Sequence, residues 1–323
     1  MIQISGLKKI FDQRGIAGLH RIDLSLKSGE IFSVLGPNGS GKSTLLKIIH
    51  GDVQSDHGLI NSEGSIHLFK PHAPKSEMNV QKFLVDQVNA DIDDEKKIQL
   101  ARDLADIFEF TSQLKQYFSQ LSSGQAQKVL VAAELMNRSD ILLLDEPFAH
   151  LDPFTRENIL ISLFKFLRQQ QTTVIWVTHD LFEAFRFSDK TGVMNFGKWE
   201  QRGTPAELLK NPRNLFTAQY VGYKNFLTIR YENDGWQTPW GTLERPSLPG
   251  HEALLILPSY WDPSNVAPAL KILERIQTAS GLTLILQLNG RNFQVTCDDS
   301  LIPDSADQVY LKPQLKHSII IPL

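Results

Sequence analysis

The chain has 323 residues, 41% of them hydrophobic and 21% charged, which is enough material for two domains with buried cores. Its net charge of −3 argues against a nucleic-acid binder, which would carry a strong basic excess. The single cysteine, Cys297, excludes an internal disulfide and a cysteine-based metal site, and fits a reducing, cytosolic setting.

The opening stretch MIQISGLKKIFDQRG lacks the apolar core of a signal peptide. No apolar run approaches the roughly eighteen residues that span a bilayer, so the chain is not expected to cross a membrane by itself. IFSVL (31–35) reads as a strand buried in a parallel sheet, leading through GPNGSGKST into a helix that Gly51 would cap. GLINSEGSIHLF (58–69) reads as a hairpin with a glycine-bearing turn. A helix-rich stretch follows over 78–137, in which DEKKIQLARDLADIFEF carries apolar residues at three- and four-residue spacing. ILLLD (141–145) and TVIWVT (173–178) are two further buried strands, separated by a helix that starts at Pro153. Strands alternating with helices predict a parallel α/β core. After about residue 222 the texture changes to short alternating runs and frequent prolines, the pattern of a small β-barrel or sandwich. The expected domains are 1–224, with a helical subdomain at about 75–137, and 225–323.

The pattern G-x-x-x-x-G-K-[ST] is matched by Gly36, Gly41, Lys42 and Ser43, between strand and helix. Glycines let the backbone wrap round phosphates, Lys42 neutralises the outer phosphates, and the Ser43 hydroxyl can hold Mg²⁺. Asp145 ends its strand where ligands of open α/β sheets bind, so it suits the Mg²⁺ shell, and Glu146 suits an attacking water. Acidic residues also end strands simply to begin a turn, but beside a phosphate loop the metal role is the stronger reading. His179 closes a third strand at the same sheet edge. It is read as a γ-phosphate contact against the alternative of a structural histidine. The second small-residue loop, LSSGQ (121–125), opens a helix and so aims amides and hydroxyls at an anion.

In order, GPNGSGKST, LSSGQ, ILLLDEP, AHLDP and VTHD make the chain resemble the nucleotide-binding subunit of an ABC transporter over residues 1–222. The resemblance implies a P-loop NTPase fold of the ABC ATPase type, with a helical subdomain. It implies ATP and Mg²⁺ as ligands, with Gly36, Pro37, Asn38, Gly39, Ser40, Gly41, Lys42, Ser43 and Thr44 around the phosphates. Ser43 and Asp145 would hold the metal, Glu146 would be the general base and His179 would touch the γ-phosphate. It further implies that two subunits pack head to tail, so Ser122, Ser123, Gly124 and Gln125 would close on the ATP of the other copy. Asp152 would link the two sites across that interface. Phe11 matches the aromatic that stacks on adenine; a phenylalanine buried in a strand is the other reading.

Two departures stand out. The signature reads LSSGQ where the family usually has LSGGQ. The family's glutamine at the end of the strand before the helical segment is absent, and Lys70, Pro71 or His72 falls in its place. Gln54 comes too early, and Gln81 falls inside the next helix.

GKWEQRGTPAELLKNPRNLFTAQYVGYKNFL (197–227) is similar to a segment that precedes the regulatory TOBE domain in ATPases of binding-protein-dependent importers. The tail is therefore expected to be an OB/TOBE-like all-β barrel. The implied partners are a second copy or close paralogue, two transmembrane permease subunits and an extracellular or periplasmic solute-binding protein, with no nucleic acid. The implied location is peripheral, on the cytoplasmic face of the cell membrane. A short tail leans towards iron(III) or polyamine as cargo. A soluble ABC-type ATPase acting on nucleic acid or ribosomes, and an exporter ATPase, are the competing readings.

Overall fold

The computed structural model describes the chain except residues 12–16, 71–72, 75–76, 89–92, 149–150, 246–247, 249–251, 258–260, 265–266, 279–280, 298–305 and 323. Strand β1 (Ile2–Ile10) buries Ile2 and Ile4 between exposed neighbours, the period-two pattern of a half-buried strand. It pairs antiparallel with β2 (Ala17–Leu26) and with β4 (His57–Ser62). Strand β3 (Ile31–Leu35) is buried throughout and leads into α1 (Lys42–His50), which Gly51 ends by donating its N–H to the Lys47 and Ile48 carbonyls.

Then follow β5 (Ile66–Leu68), α2 (Val80–Asp86), α3 (Asp94–Ile107), α4 (Ser123–Leu135), β6 (Ile141–Asp145) and α5 (Pro153–Gln169). After these come β7 (Thr173–Val177), α6 (Leu181–Phe187), β8 (Lys190–Asn195) and β9 (Lys198–Gly203). The main sheet runs β5-β6-β7-β3-β8-β9, and its first five strands are parallel.

Alternation along these strands assigns two cores. Phe32, Val34, Ile141, Leu143, Ile175 and Val177 face α1 and the three-stranded sheet. Ile31, Leu142, Leu144, Val174 and Trp176 face the helices α2 to α5. Trp176 is 1% exposed, lies 4.8 Å from the Phe164 ring and donates from Nε1 to Ser188 Oγ at 2.8 Å. Trp176→Ala should cost about 3–5 kcal/mol in denaturant unfolding, as a large cavity opens and Ser188 loses its donor.

The expected hairpin over 58–69 is not formed. Its two strands join different sheets: β4 extends β1, whereas β5 pairs parallel with β6 in register Leu68–Leu143. The reason is burial of β5's apolar side chains, together with a clasp in which the Asp140 carboxylate accepts from Ser65 N at 2.8 Å and Ser65 Oγ at 3.0 Å. These bonds, the backbone one foremost, hold the Asp140 carboxyl below the ordinary aspartate value. A lowered carboxylate stabilises the fold above its unfolded pKa, and that contribution is lost as pH falls through the folded one. Asp140→Asn should therefore flatten the acid side of the stability curve below about pH 4, read as unfolding midpoint against pH.

The chain divides into two compact units, Met1–Trp199 and Glu200–Leu323, so the second begins before the sequence-expected boundary at Lys224. Helices α7 (Pro205–Lys210) and α8 (Leu215–Tyr220) belong to it because Ala218 of α8 packs on Leu254, Ile256 and Ile321. Among the described residues the remainder is β apart from one 3₁₀ turn, Leu315–His317. One antiparallel sheet joins β10 (Asn225–Glu232), β11 (Gly235–Thr238), β12 (Gly241–Leu243), β13 (Glu252–Leu257) and β20 (Ile319–Pro322) in the order β12-β11-β10-β13-β20. A second joins β15 (Leu270–Thr278), β16 (Gly281–Leu288), β17 (Arg291–Cys297) and β18 (Gln308–Val309) in the order β17-β16-β15-β18, and β14 (Trp261–Pro263) pairs with β19 (Leu311–Pro313). Their inward residues share one core built round Trp236, Trp240, Trp261 and Phe293.

Candidate active site

The loop from β3 to α1 wraps tightly because its glycines allow it. Gly36 has φ 153°, and a Cβ there would stand 2.2 Å from the Met194 carbonyl oxygen. Lys42, 6% exposed, is drawn inward and donates to the carbonyls of Gly36 at 2.8 Å and Pro37 at 3.0 Å. Burial pulls its ammonium below the ordinary lysine value, opposed by the Glu146 and Asp145 carboxylates. The Ser40 side chain is buried beneath the loop and its hydroxyl has no hydrogen-bond partner among the described residues.

Ser43, at the start of α1, donates to Asp145 Oδ1 at 3.0 Å across the gap to the end of β6. A hydroxyl and a carboxylate brought this close are oxygen donors of the kind a hard cation takes, completed by phosphate and water oxygens. The pair fits Mg²⁺ for that reason. No cluster of three or more His, Cys, Asp or Glu suited to a metal exists among the described residues.

Glu146 takes φ 46°, rare for a residue with a side chain, because its N–H remains bonded to Val177 O at 3.1 Å as the strand ends. Its Oε2 lies 3.6 Å from His179 Nδ1, and both side chains are partly exposed. Phe11 is 56% exposed, which removes the buried-strand reading; its ring lies against Gly18, whose absent Cβ would sit 2.3 Å from ring carbon Cε2. Phe11, Asn38, Gly39, Gly41, Lys42, Ser43, Thr44, Asp145 and Glu146 line one open concavity of about 650 Å³.

The signature residues do not line it. Ser122 and Gln125 cap their own helix, Gln125 N donating to Ser122 Oγ at 3.3 Å and Ser122 N to Gln125 Oε1 at 3.0 Å. A Cβ on Gly124 would meet Thr155 Cγ2 at 3.5 Å, so this helix start and the first turn of α5 are neighbours. Asp152 caps α5, accepting from Thr155 N at 2.9 Å.

Of the residues at the missing glutamine, Pro71 and His72 lie outside the described residues. Lys70 stands two residues beyond the pair Leu68–Leu143, and its ammonium reaches Asp52 at 2.7 Å, which also meets His50 Nδ1 at 2.8 Å. Gln81 is inside α2. Sequence reading passed over Arg156, Thr178, Asp180 and Glu183, which gather behind His179. The spacing Asp180-x-x-Glu183 ahead of a short apolar run is a helix-start signal that could have revealed half of that group.

A phosphate loop after a central parallel strand, facing an acidic strand end, defines a P-loop nucleotide-binding protein. A family model described as ABC transporter matches residues 19–149. The spermidine/putrescine import ATP-binding protein PotA of Fusobacterium nucleatum is 35% identical over 240 residues, 70% of this chain and 63% of that one. The Fe(3+) ions import ATP-binding protein FbpC of Streptomyces avermitilis is 31% identical over 261 residues, 76% of this chain and 75% of that one. Among solved structures, a dimeric post-hydrolysis state of the ATP-binding cassette MJ0796 bound to ADP and Pi is 26% identical. It superposes with a TM-score of 0.53 over 64% of this chain and 99% of that one. The chain belongs to the ABC transporter family of ATP-binding proteins. It spans 63% of the length of the PotA relative.

Proposed function

We propose that this protein is the ATP-hydrolysing subunit of an ABC importer. The observation that carries the reading is the convergence of Lys42, Ser43, Asp145 and Glu146 on one concavity, with His179 beside Glu146. ATP seats its phosphates on the loop from Gly36 to Thr44, and Phe11 stacks on adenine. When bound, Mg²⁺ polarises the phosphate oxygens and neutralises charge that develops on them. Ser43 and Asp145 would hold it, Glu146 would take a proton from the attacking water, and His179 would touch the γ-phosphate.

Two copies, or one copy and a close paralogue, close head to tail, each offering Ser122, Ser123, Gly124, Gln125 and Asp152 to the other's nucleotide. The capped start of α4, outside its own concavity, supports that arrangement, and so does the dimeric cassette at 26% identity. Two permease subunits and a solute-binding protein complete the importer at the cytoplasmic face of the membrane. No helix among the described residues is long and apolar enough to cross a membrane, in keeping with a peripheral subunit. The β-rich second unit has the role of a TOBE-like regulatory domain, and relatives named for polyamine and iron import support one of those cargoes.

The test is Mg²⁺-dependent phosphate release by the purified chain, followed by ATP-driven uptake of spermidine or iron(III) after reconstitution with the permease and binding protein encoded beside it. Phosphate release that is absent, or that does not need Mg²⁺, overturns the reading.

A further inference from the structure

Behind the Glu146–His179 pair lies a second set of charges that phosphate and metal chemistry leaves unused. The turn carrying His179 is bound to itself through its neighbours. Asp180 Oδ1 accepts from the N–H groups of Phe182 at 2.9 Å and Glu183 at 3.1 Å. Thr178 Oγ1 accepts from Asp180 N at 3.1 Å and donates to Glu183 Oε2 at 3.0 Å. The two carboxylates then meet one guanidinium. Arg156 Nε lies 2.7 Å from Glu183 Oε1, and an Arg156 terminal nitrogen lies 3.5 Å from Asp180 Oδ2.

The contact is largely withdrawn from solvent, with side-chain exposures of 18% for Arg156 and 16% for Glu183. Arg156, Glu183, Glu146 and His179 line the same small cavity. At its other end Arg156 belongs to the first turns of α5, and its N–H is bonded to the Asp152 carbonyl at 3.0 Å. One side chain therefore joins the helix start bearing Asp152 to the turn bearing His179.

We infer that Arg156, fixed by Glu183 and Asp180, is a positioning residue that sets the His179 imidazole against Glu146 and the terminal phosphate, and links that setting to Asp152. This rests on the proposed ATPase reading. The chemistry suits the task. A planar guanidinium faces two carboxylates at once, here at 2.7 and 3.5 Å, which an ammonium on a flexible stem does not reproduce. Burial pushes the Glu183 carboxyl above the ordinary glutamate value against the pull of Arg156 and Thr178, so the ion pair is partly desolvated and resists salt better than a surface pair. Other links between the same helices, Arg186 to Glu157 and Arg168 to the Phe187 carbonyl, are exposed and involve neither Asp180 nor His179 among the described residues.

A helix-to-helix brace of purely structural value would lower stability and leave turnover per folded molecule alone. A positioning residue divides the kinetics instead: displacing a catalytic side chain by a fraction of an ångström costs on the order of 10–100-fold in turnover without weakening substrate binding. The experiment uses the full chain with Arg156→Gln, Glu183→Gln and the double variant, which keeps neutral hydrogen-bonding groups on both helices. Each is also made in a His179→Ala background. Mg-ATP affinity, kcat and KM are measured, with an unfolding midpoint for each variant.

Expected are ATP affinity within twofold of native, kcat lowered at least tenfold for Arg156→Gln and for Glu183→Gln, and less than twofold further loss when either is added to His179→Ala. Native kcat in the folded variants overturns the inference, as does a loss that multiplies fully with that of His179→Ala. If Arg156→Gln alone fails to fold, Glu183→Gln and the double variant decide by the same readings. A native chain that never releases phosphate defeats the ATPase reading and this inference together, which separates that failure from the other two.

Discussion

Glu146→Gln is expected to bind ATP as well as the native chain and to hydrolyse it about 10²–10⁴-fold more slowly, the usual worth of a positioned general base. The amide keeps the size of the carboxylate and leaves the Glu146 N–H bond to Val177 in place, so the strained φ of 46° is retained. It can no longer take a proton. Removing a negative charge next to Lys42 and Asp145 also eases the approach of a triphosphate, so affinity should hold or improve. With turnover stopped, the ATP-bound state accumulates, and size-exclusion chromatography with Mg-ATP should show a species of twice the mass. Near-native phosphate release by this variant would remove Glu146 from the role of base.

The second large effect is expected from Lys42→Met. Methionine matches the lysine stem in length and apolar character but carries no cation. Two consequences follow from the geometry. The loop loses the bonds that tie the α1 start to the Gly36 and Pro37 carbonyls, and the phosphates lose their buried counter-charge. Hydrogen bonds to charged groups contribute about 1.5–3 kcal/mol each, so losing the ammonium's bond to a triphosphate should weaken ATP roughly 10- to 100-fold. Titration with a fluorescent ATP analogue reads this directly. A dissociation constant within threefold of native would mean that the loop amides alone hold the triphosphate.

Much of the first unit was legible in its sequence for a simple reason. IFSVL, ILLL and TVIWV are almost wholly apolar, broken only by Ser33 and Thr173, and offer no polar face to solvent, so they had to lie inside a covered parallel sheet. The phosphate loop was legible because its spacing is dictated by the shape of a phosphate chain and does not depend on distant contacts. GLINSEGSIHLF was misread because strand propensity is local whereas partner choice is not. The two strands are close in sequence, but their hydrogen-bonding partners, β1 and β6, belong to different sheets. The same limit hid α8 in the second unit, since nothing local says that Ala218 will pack against Leu254. Arg156 and Glu183 lie on separate helices and meet only after α5 and α6 have docked, so no spacing rule reaches that pair. Lys70 is the reverse case: the sequence leaves it beside Pro71 and His72 as a candidate at the missing glutamine, and the fold turns its ammonium to Asp52.

The reciprocal bonds between Ser122 and Gln125 have a thermodynamic consequence. A glycine-rich recognition loop ordinarily surrenders conformational freedom at the moment it grips an anion, and that loss subtracts from affinity. Here two reciprocal bonds already tie down the backbone at the head of α4, and Ser123 stands where LSGGQ has a glycine. In the proposed head-to-tail pair, part of the entropy cost of ordering that loop is therefore met during folding and not at association.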